Sequence, residues 1–148
     1  MKITDALLGE HGVFYAQFDH LERVLAGESS LDVLRREAAL LASALAPHAH
    51  LENQLLFDRM ASSGMAAGPV GMMRSEHEEI EELLERVEEA DTPHAARDLI
   101  RHAVHIARHH FAKEEHVAFP MAESILDEAT LLELGRVWAE RRGVRLGS

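Results

Sequence analysis

Cysteine is absent from the 148 residues of this chain, which excludes disulfide bonds, thiolate zinc sites, cysteine-bound iron–sulfur clusters and thiol nucleophiles. Proline and glycine are scarce, at four and nine residues, so there are few points where a helix must end. Basic residues are in the minority: the chain has 15 of them and 26 acidic residues, which gives a net charge of −11. A surface of that sign repels nucleic acid and anionic membranes, so we expect neither as a partner.

Long apolar runs are missing as well. No segment approaches the roughly 18 consecutive apolar residues of a transmembrane helix, and Met1–Asp5 lacks the apolar stretch of a signal peptide. We therefore expect a cytoplasmic protein. A chain of 148 residues that is 47% hydrophobic suits one domain over residues 1–148. Histidine is the exception to these shortages, because the chain contains 11 of them.

Hydrophobic residues recur at three- and four-residue spacing through most of the chain, and this spacing predicts helices. Four long helices are expected over residues 4–26, 30–60, 69–90 and 92–120, and a shorter one over 127–142. No run of alternating polarity stands out, so no strand is predicted. Short connections between four long helices favour an all-α fold, an antiparallel up-down four-helix bundle with a short C-terminal fifth helix.

Proline residues set several of the expected helix ends. Thr92 precedes a proline and is expected to cap the fourth helix, and Pro69 is expected to open the third. Pro47 lies inside the second helix and should kink it, since it removes one backbone donor. Phe119-Pro120 should end the fourth helix.

The first two predicted helices resemble the last two. Glu10-His11 in the first helix recurs as Glu76-His77 in the third. A longer match relates the second helix to the fourth, the segment 48–57 to the segment 110–119. A bundle built from such a repeat has a pseudo-two-fold axis.

Counting residues from each turn shows which side chains share one level of the bundle, because every helix rises about 1.5 Å per residue. Two His-x-x-x-Glu pairs lie at i and i+4, on one face of the second and fourth helices. Within boundary error, the four helices bring six groups to one layer: His11, His48, Glu52, His77, His110 and Glu114.

Two carboxylates inside a bundle need neutralisation or a cation, because an unpaired buried carboxylate costs several kcal/mol. Four imidazoles and two carboxylates suit iron, manganese or zinc rather than calcium or magnesium. Each half of the repeat supplies two histidines and one carboxylate that can bridge, which suggests two ions side by side. The Glu-x-x-His pairs of ferritin-like sites and the His-Glu-x-x-His of zinc proteases are absent.

At these residues the sequence resembles the hemerythrin-like, or HHE cation-binding, family. The resemblance covers about residues 4 to 120 and rests on the order His, His-x-x-x-Glu, His, His-x-x-x-Glu. It implies that the four histidines are terminal iron ligands and that Glu52 and Glu114 bridge two iron ions. It also implies a μ-oxo or carboxylate-bridged di-iron centre, in which zinc or manganese could substitute.

The oxygen-carrying hemerythrins differ from this chain at two positions. Their third helix has a second histidine where this chain has Glu81, and their fourth-helix carboxylate comes one residue later than Glu114. The pattern is closer to the di-iron proteins linked to iron–sulfur cluster repair and nitric-oxide stress. The resemblance thus implies a non-haem di-iron protein that binds or reduces O₂, NO or peroxide, with an unnamed electron donor as partner.

Two other functions stay open at this point. The chain would be a non-catalytic module that binds or senses iron or oxygen, or a structural bundle stabilised by zinc. A zinc site is colourless, so a visible spectrum separates it from both iron hypotheses.

Tyr15 and Glu81 each lie four residues after a predicted ligand histidine. Each could be a ligand or a hydrogen-bonding neighbour of the ligands, and we expect the second role. Glu81 falls near the margin of its helix's apolar face, so we expect it to be either such a neighbour or exposed. Trp138 is expected to pack over one end of the bundle. Six further histidines are expected on solvated faces or away from the ligand layer: His20, His50, His102, His105, His109 and His116.

Overall fold

The computed structural model describes residues 1–64, 66–145 and 147, and these residues are all-helical, with no strand among them. None of the described helices combines the length and the hydropathy that a membrane span requires. The elements are α1 (Ile3–Ala26), α2 (Leu31–Glu52), the π-helix π1 (Asn53–Phe57), α3 (Asp58–Ser62), α4 (Ala67–Glu88), α5 (Pro93–Lys113), the π-helix π2 (Glu114–Ala118), α6 (Phe119–Ile125) and α7 (Glu128–Arg142).

Side-chain caps begin three of these helices. Thr92 caps α5 as predicted, because its hydroxyl accepts a hydrogen bond from the backbone N–H of Ala95 at 3.1 Å. The hydroxyl of Ser30 caps α2 in the same way, and the carboxylate of Asp127 caps α7. Each cap satisfies a donor that the first helical turn would leave unpaired.

Pro69 and Pro120 act differently from the prediction, whereas Pro47 lies inside α2 as predicted and its kink stays a prediction. α2 continues through Pro47, and the chain departs from α geometry only after Glu52. α4 begins at Ala67, so Pro69 lies within its first turn. The predicted end of the fourth helix at Pro120 is wrong, because the chain stays helical to Ile125.

The π-helix π2 explains why Pro120 does not end the helix. The backbone N–H of Phe119 bonds to the carbonyl of Glu114, five residues back, so the hydrogen-bond register shifts at this point. Pro120 then falls in the first turn of α6, where a missing N–H is tolerated. The other π-helix, π1, lies at the matching place in the first half and contains three consecutive buried residues, Leu55, Leu56 and Phe57.

The four long helices pack around one another. α1 contacts α2 and α5, and α4 contacts the same two helices. Ion pairs and hydrogen bonds cross between them at several levels, for example from Lys2 to Glu123 and from Arg97 to the carbonyl of Gly27. α7 packs against α1, and Trp138 is buried there with Leu131 and Leu134, as predicted.

The apolar core consists of two hydrophobic clusters with a polar layer between them. On α1, Leu7 belongs to one cluster and Phe14 to the other, and His11 lies between these two residues. The same order recurs on α4, where Met73 and Ile80 belong to different clusters and His77 separates them. One level of the bundle is therefore reserved for polar side chains.

Gly135 offers a test of how α7 packs against the start of the chain. A Cβ atom at this position would lie 2.3 Å from the carbonyl oxygen of Met1, a backbone atom that cannot swing away. We expect Gly135→Ala to lower the free energy of unfolding by about 1–3 kcal/mol through overpacking. Gly12→Ala is the matched control, because nothing lies within 4 Å of its Cβ position.

The control should raise the free energy of unfolding by up to about 1 kcal/mol, since alanine favours a helix interior over glycine. Urea denaturation followed by circular dichroism measures both variants. Equal effects of the two substitutions would contradict the close packing of α7 on Met1.

Candidate metal centre

The structure brings all six predicted ligands together in the polar layer. Five of them are at most 1% exposed, and the side chain of His77 is 8% exposed. Their nitrogen and oxygen atoms form two groups, and within each group the atoms lie within 4.8 Å of one another. One group is His11, His48, Glu52 and Glu114, and the other is Glu52, His77, His110 and Glu114.

Glu114 lies at the centre of this arrangement. Its Oε2 is 3.1 Å from Nε2 of His11, and its Oε1 is 2.6 Å from Nε2 of His110. Glu52 lies opposite, with Oε2 3.2 Å from Nε2 of His77. The two carboxylates therefore belong to both groups, whereas each histidine belongs to one.

Three further carboxylates hold the histidines from outside. An ionised carboxylate only accepts hydrogen bonds, so Nδ1 of each of these histidines donates. In the neutral ring, Nε2 then has a lone pair that faces the centre. The pairs are His48 with Glu10 at 2.6 Å, His110 with Glu76 at 2.8 Å, and His11 with Glu115 at 3.0 Å.

Each outer carboxylate has its own partner: Arg142 pairs with Glu10, Lys113 pairs with Glu76, and the hydroxyl of Tyr15 donates to Glu115 at 2.9 Å. Burial and the hydrogen bond to Glu115 raise the pKa of Tyr15 to about 12, so the phenol stays a donor. Tyr15 is thus one hydrogen bond away from His11's partner, which agrees with its expected place beside the ligands.

These outer carboxylates were not predicted from the sequence, although it contains a signal for two of them. Glu10 and Glu76 each directly precede a ligand histidine, and this Glu-His pair recurs in both halves of the chain. Each glutamate bonds not to its neighbour in sequence but to the histidine of the next long helix. Glu115 has no such signal, because the first half has Asn53 at the corresponding position.

The inner atoms of the layer are suited to a cation. Within the described residues, both oxygens of Glu52 and of Glu114 are buried without a hydrogen-bond partner, as are the Nε2 atoms of His11 and His48. A buried polar group left unpaired costs about 1–3 kcal/mol, and a charged one more. Cations coordinated between the two carboxylates would satisfy these atoms together, so the residues fit a metal centre.

One comparison with known proteins identifies the family. A model described as the hemerythrin HHE cation-binding domain matches residues 2–122. The chain belongs to this family. No curated protein and no solved structure gives a significant match. The role of the six side chains as ligands of this HHE domain stays a prediction, which the geometry now makes specific.

The pKa values of the two shared carboxylates of the HHE domain are shifted in opposite directions. Burial and the charge of Glu114 raise the pKa of the Glu52 carboxyl. Burial opposes ionisation of Glu114 as well, but the close imidazoles of His11, His110 and His77 outweigh it and hold its pKa well below the usual range. Burial likewise opposes the charged form of His77, yet Glu114 and Glu52 raise its pKa to about 9.

A narrow cavity of about 90 Å³ leads from the surface to the histidines. Its walls are mainly small or aliphatic side chains of α2 and α4, and Glu81 is one of the exposed residues at its outer end. Its lining is Ala42, Leu45, Ala46, His48, Ala49, His77, Ile80, Glu81, Leu84, Glu85, His110 and Phe111. This space suits a molecule of a few atoms and is far below the 300 Å³ or more that is typical (about 300–1,000 Å³) of drug-sized ligand pockets.

The structure places the remaining candidates outside the ligand layer. Glu81 is exposed and belongs to neither group of four ligand atoms, in agreement with its expected marginal position. The six histidines expected away from the layer are all exposed: His20, His50, His102, His105, His109 and His116.

Matched substitutions of the two shared carboxylates should separate their roles in the metal-free HHE domain. We expect Glu52→Gln to change the free energy of unfolding by less than about 1 kcal/mol, since the raised pKa of Glu52 already favours its neutral form. Glu114→Gln should lower it by about 3 kcal/mol, because it leaves buried imidazolium charge without its partner.

Urea denaturation at pH 7 in a chelator measures both values. The contribution of Glu114 is present above the usual carboxyl pKa and is lost as the pH falls through its lowered folded value. With metal present, both variants should lack the ligand-dependent rise in Tm. Equal destabilisation of the two metal-free variants would contradict the opposite pKa shifts of Glu52 and Glu114.

Glu81 stands where the oxygen-carrying hemerythrins have a second histidine in the third helix. The variant Glu81→Ala tests whether Glu81 binds metal. Because Glu81 is exposed and lies outside both groups, we expect the variant to keep the parent's metal content and Tm. His77→Ala, one turn earlier on α4, is the positive control and should lose metal. Elemental analysis after desalting measures both, and loss of one ion from Glu81→Ala would make Glu81 a ligand.

Proposed function

We propose that the HHE domain holds two iron ions side by side, bridged by Glu52 and Glu114. The observation that supports this most directly is that the two groups of ligand atoms share both carboxylates and divide the histidines equally. One ion would take His11 and His48, and the other His77 and His110. Two ions would neutralise a layer in which buried carboxylates otherwise face each other.

The bound irons would supply redox chemistry and coordination positions for a small ligand. The residues of the chain contribute selection and positioning. The cavity, at about 90 Å³, has room for a molecule the size of O₂, NO or peroxide. The outer carboxylates of Glu10, Glu76 and Glu115 fix three of the imidazole rings.

We also infer that the four long helices form the antiparallel up-down bundle. Contacts along α1 support this, because residues later in α1 pair with residues that come earlier in the segment from α5 to α6. The series runs from Lys2 with Glu123, through His11 with Glu115 and Asp19 with Arg108, to Gly27 with Arg97. Such an arrangement brings the two His-x-x-x-Glu pairs to one level.

The proposed activity is the binding or reduction of a small ligand under oxidative or nitrosative stress, or during iron–sulfur cluster repair. It would take place in the cytoplasm and take electrons from a donor protein. Glu81 supports this over O₂ carriage, because an exposed carboxylate stands where the carriers place an imidazole on one iron. Fewer protein ligands leave more positions for exchangeable molecules.

Metal analysis with spectroscopy tests the proposal. Protein purified anaerobically or loaded with Fe²⁺ should contain about two iron ions per chain, and exposure to O₂ should give a visible absorption spectrum that NO or peroxide alters. The His48→Ala variant, matched to His50→Ala as a control two residues away, should lose metal and colour. His50 is exposed, so its variant should retain both.

Each alternative has its own outcome in the same experiment. A colourless protein filled with zinc would favour the structural bundle. Iron that binds O₂ or NO without turnover in the presence of a chemical reductant would favour the binding or sensing module. One tightly bound ion at full occupancy would contradict the paired centre.

A further inference from the structure

The four predicted ligand histidines are not held equally. Glu10, Glu76 and Glu115 hydrogen-bond to the Nδ1 atoms of His48, His110 and His11. The Nδ1 atom of His77 is also buried, but among the residues that the structure describes it has no hydrogen-bond partner. A carboxylate on the outer nitrogen fixes the ring and strengthens its bond to a metal, so His77 is the weakest of the four ligands.

The internal repeat explains why His77 lacks this partner. His77 corresponds to His11, and the partner of His11 is Glu115, the residue directly after the shared carboxylate Glu114. In the first half, the residue directly after Glu52 is Asn53. Its side-chain oxygen is buried and, within the described part of the chain, also has no partner. The repeat is thus broken at the position that corresponds to the partner of His77.

The ring of His77 is also packed less closely than the ring of His11. The ring of His11 stacks on Phe111 with centroids 3.9 Å apart and planes at 7°, whereas Phe57 stacks on His77 at 6.1 Å. Both histidines of the second position, His77 and His110, line the cavity, whereas the first position contributes only His48 to its lining. With 8% of its side chain exposed, His77 is also the most accessible of the four.

We propose that the two metal positions are unequal, and that the one formed by His77 and His110 is the exchangeable position. Its ion leaves first, and it is the one that a small ligand approaching through the cavity meets. The ion held by His11 and His48 stays bound and anchors the shared carboxylates. This inference rests on the proposed function, because it requires two ions.

A chelator challenge tests the inference without measuring activity. Protein loaded with two equivalents of Co²⁺ is mixed with excess EDTA, and the cobalt that remains on the chain is measured by elemental analysis after timed desalting. We expect two phases of release, one ion leaving in each. His77→Ala should lack the fast phase and keep the slow ion, which assigns the fast phase to this position.

Reciprocal exchange of the outer residues is the decisive comparison. Asn53→Glu gives His77 the partner that His11 has, and should slow the fast phase by about tenfold or more. Asn53→Asp is a smaller change in case the longer side chain does not fit, and should act in the same direction. Glu115→Asn removes the partner of His11 and should speed the slow phase by about tenfold.

The outcomes distinguish this inference from the proposed function. Two ions that leave the parent protein at one common rate overturn the inference and leave the two-ion centre standing. The same holds for a fast phase that neither Asn53 variant slows, when both variants fold and load two ions. A parent protein that holds at most one ion overturns the proposed function and the inference together.

Discussion

Two carboxylates that face each other in the middle of the core are the constraint on which the rest of this structure depends. Glu52 and Glu114 are fully buried, and neither can be ionised there without compensating positive charge. The four imidazoles around them supply lone pairs or protons according to what the layer holds. The polar side chains at this level divide the apolar core into two clusters, one on each side, and Phe111 of one cluster stacks on the ring of His11.

The π-helices are part of the same solution. Each begins at or directly after a shared carboxylate, at Asn53 and at Glu114. A π turn shifts the hydrogen-bond register and changes which residues face inward. This shift lets Leu55, Leu56 and Phe57 all pack into the second cluster immediately after Glu52 points into the polar layer. On an uninterrupted α-helix, Leu55 and Leu56 would still share a face with Glu52, but Phe57 would point about 140° away from it.

Features that depend on spacing along one helix could be predicted from the sequence. The helical regions, the cap at Thr92, the level of the ligand residues and the exposed position of Glu81 are of this kind. Features that depend on contact between helices could not, because Glu10 reaches a histidine on α2 rather than its own neighbour. Pro120 was misread because the rule for proline assumes an α-helical register, which π2 changes.

The two halves of the repeat share the residues that would bind metal, and they differ at residues around that site. Everything that two equivalent ions would need recurs in both halves: two histidines, one shared carboxylate, and a Glu-His pair whose glutamate reaches across to the next long helix. The halves differ at Tyr15 against Glu81 and at Glu115 against Asn53, all outside the six inner residues. Changes at these positions leave the charge balance of the layer intact and alter only how firmly each ring is held and how exposed it is. A duplicated centre can therefore keep its metal-binding set and still acquire one anchoring and one reactive position.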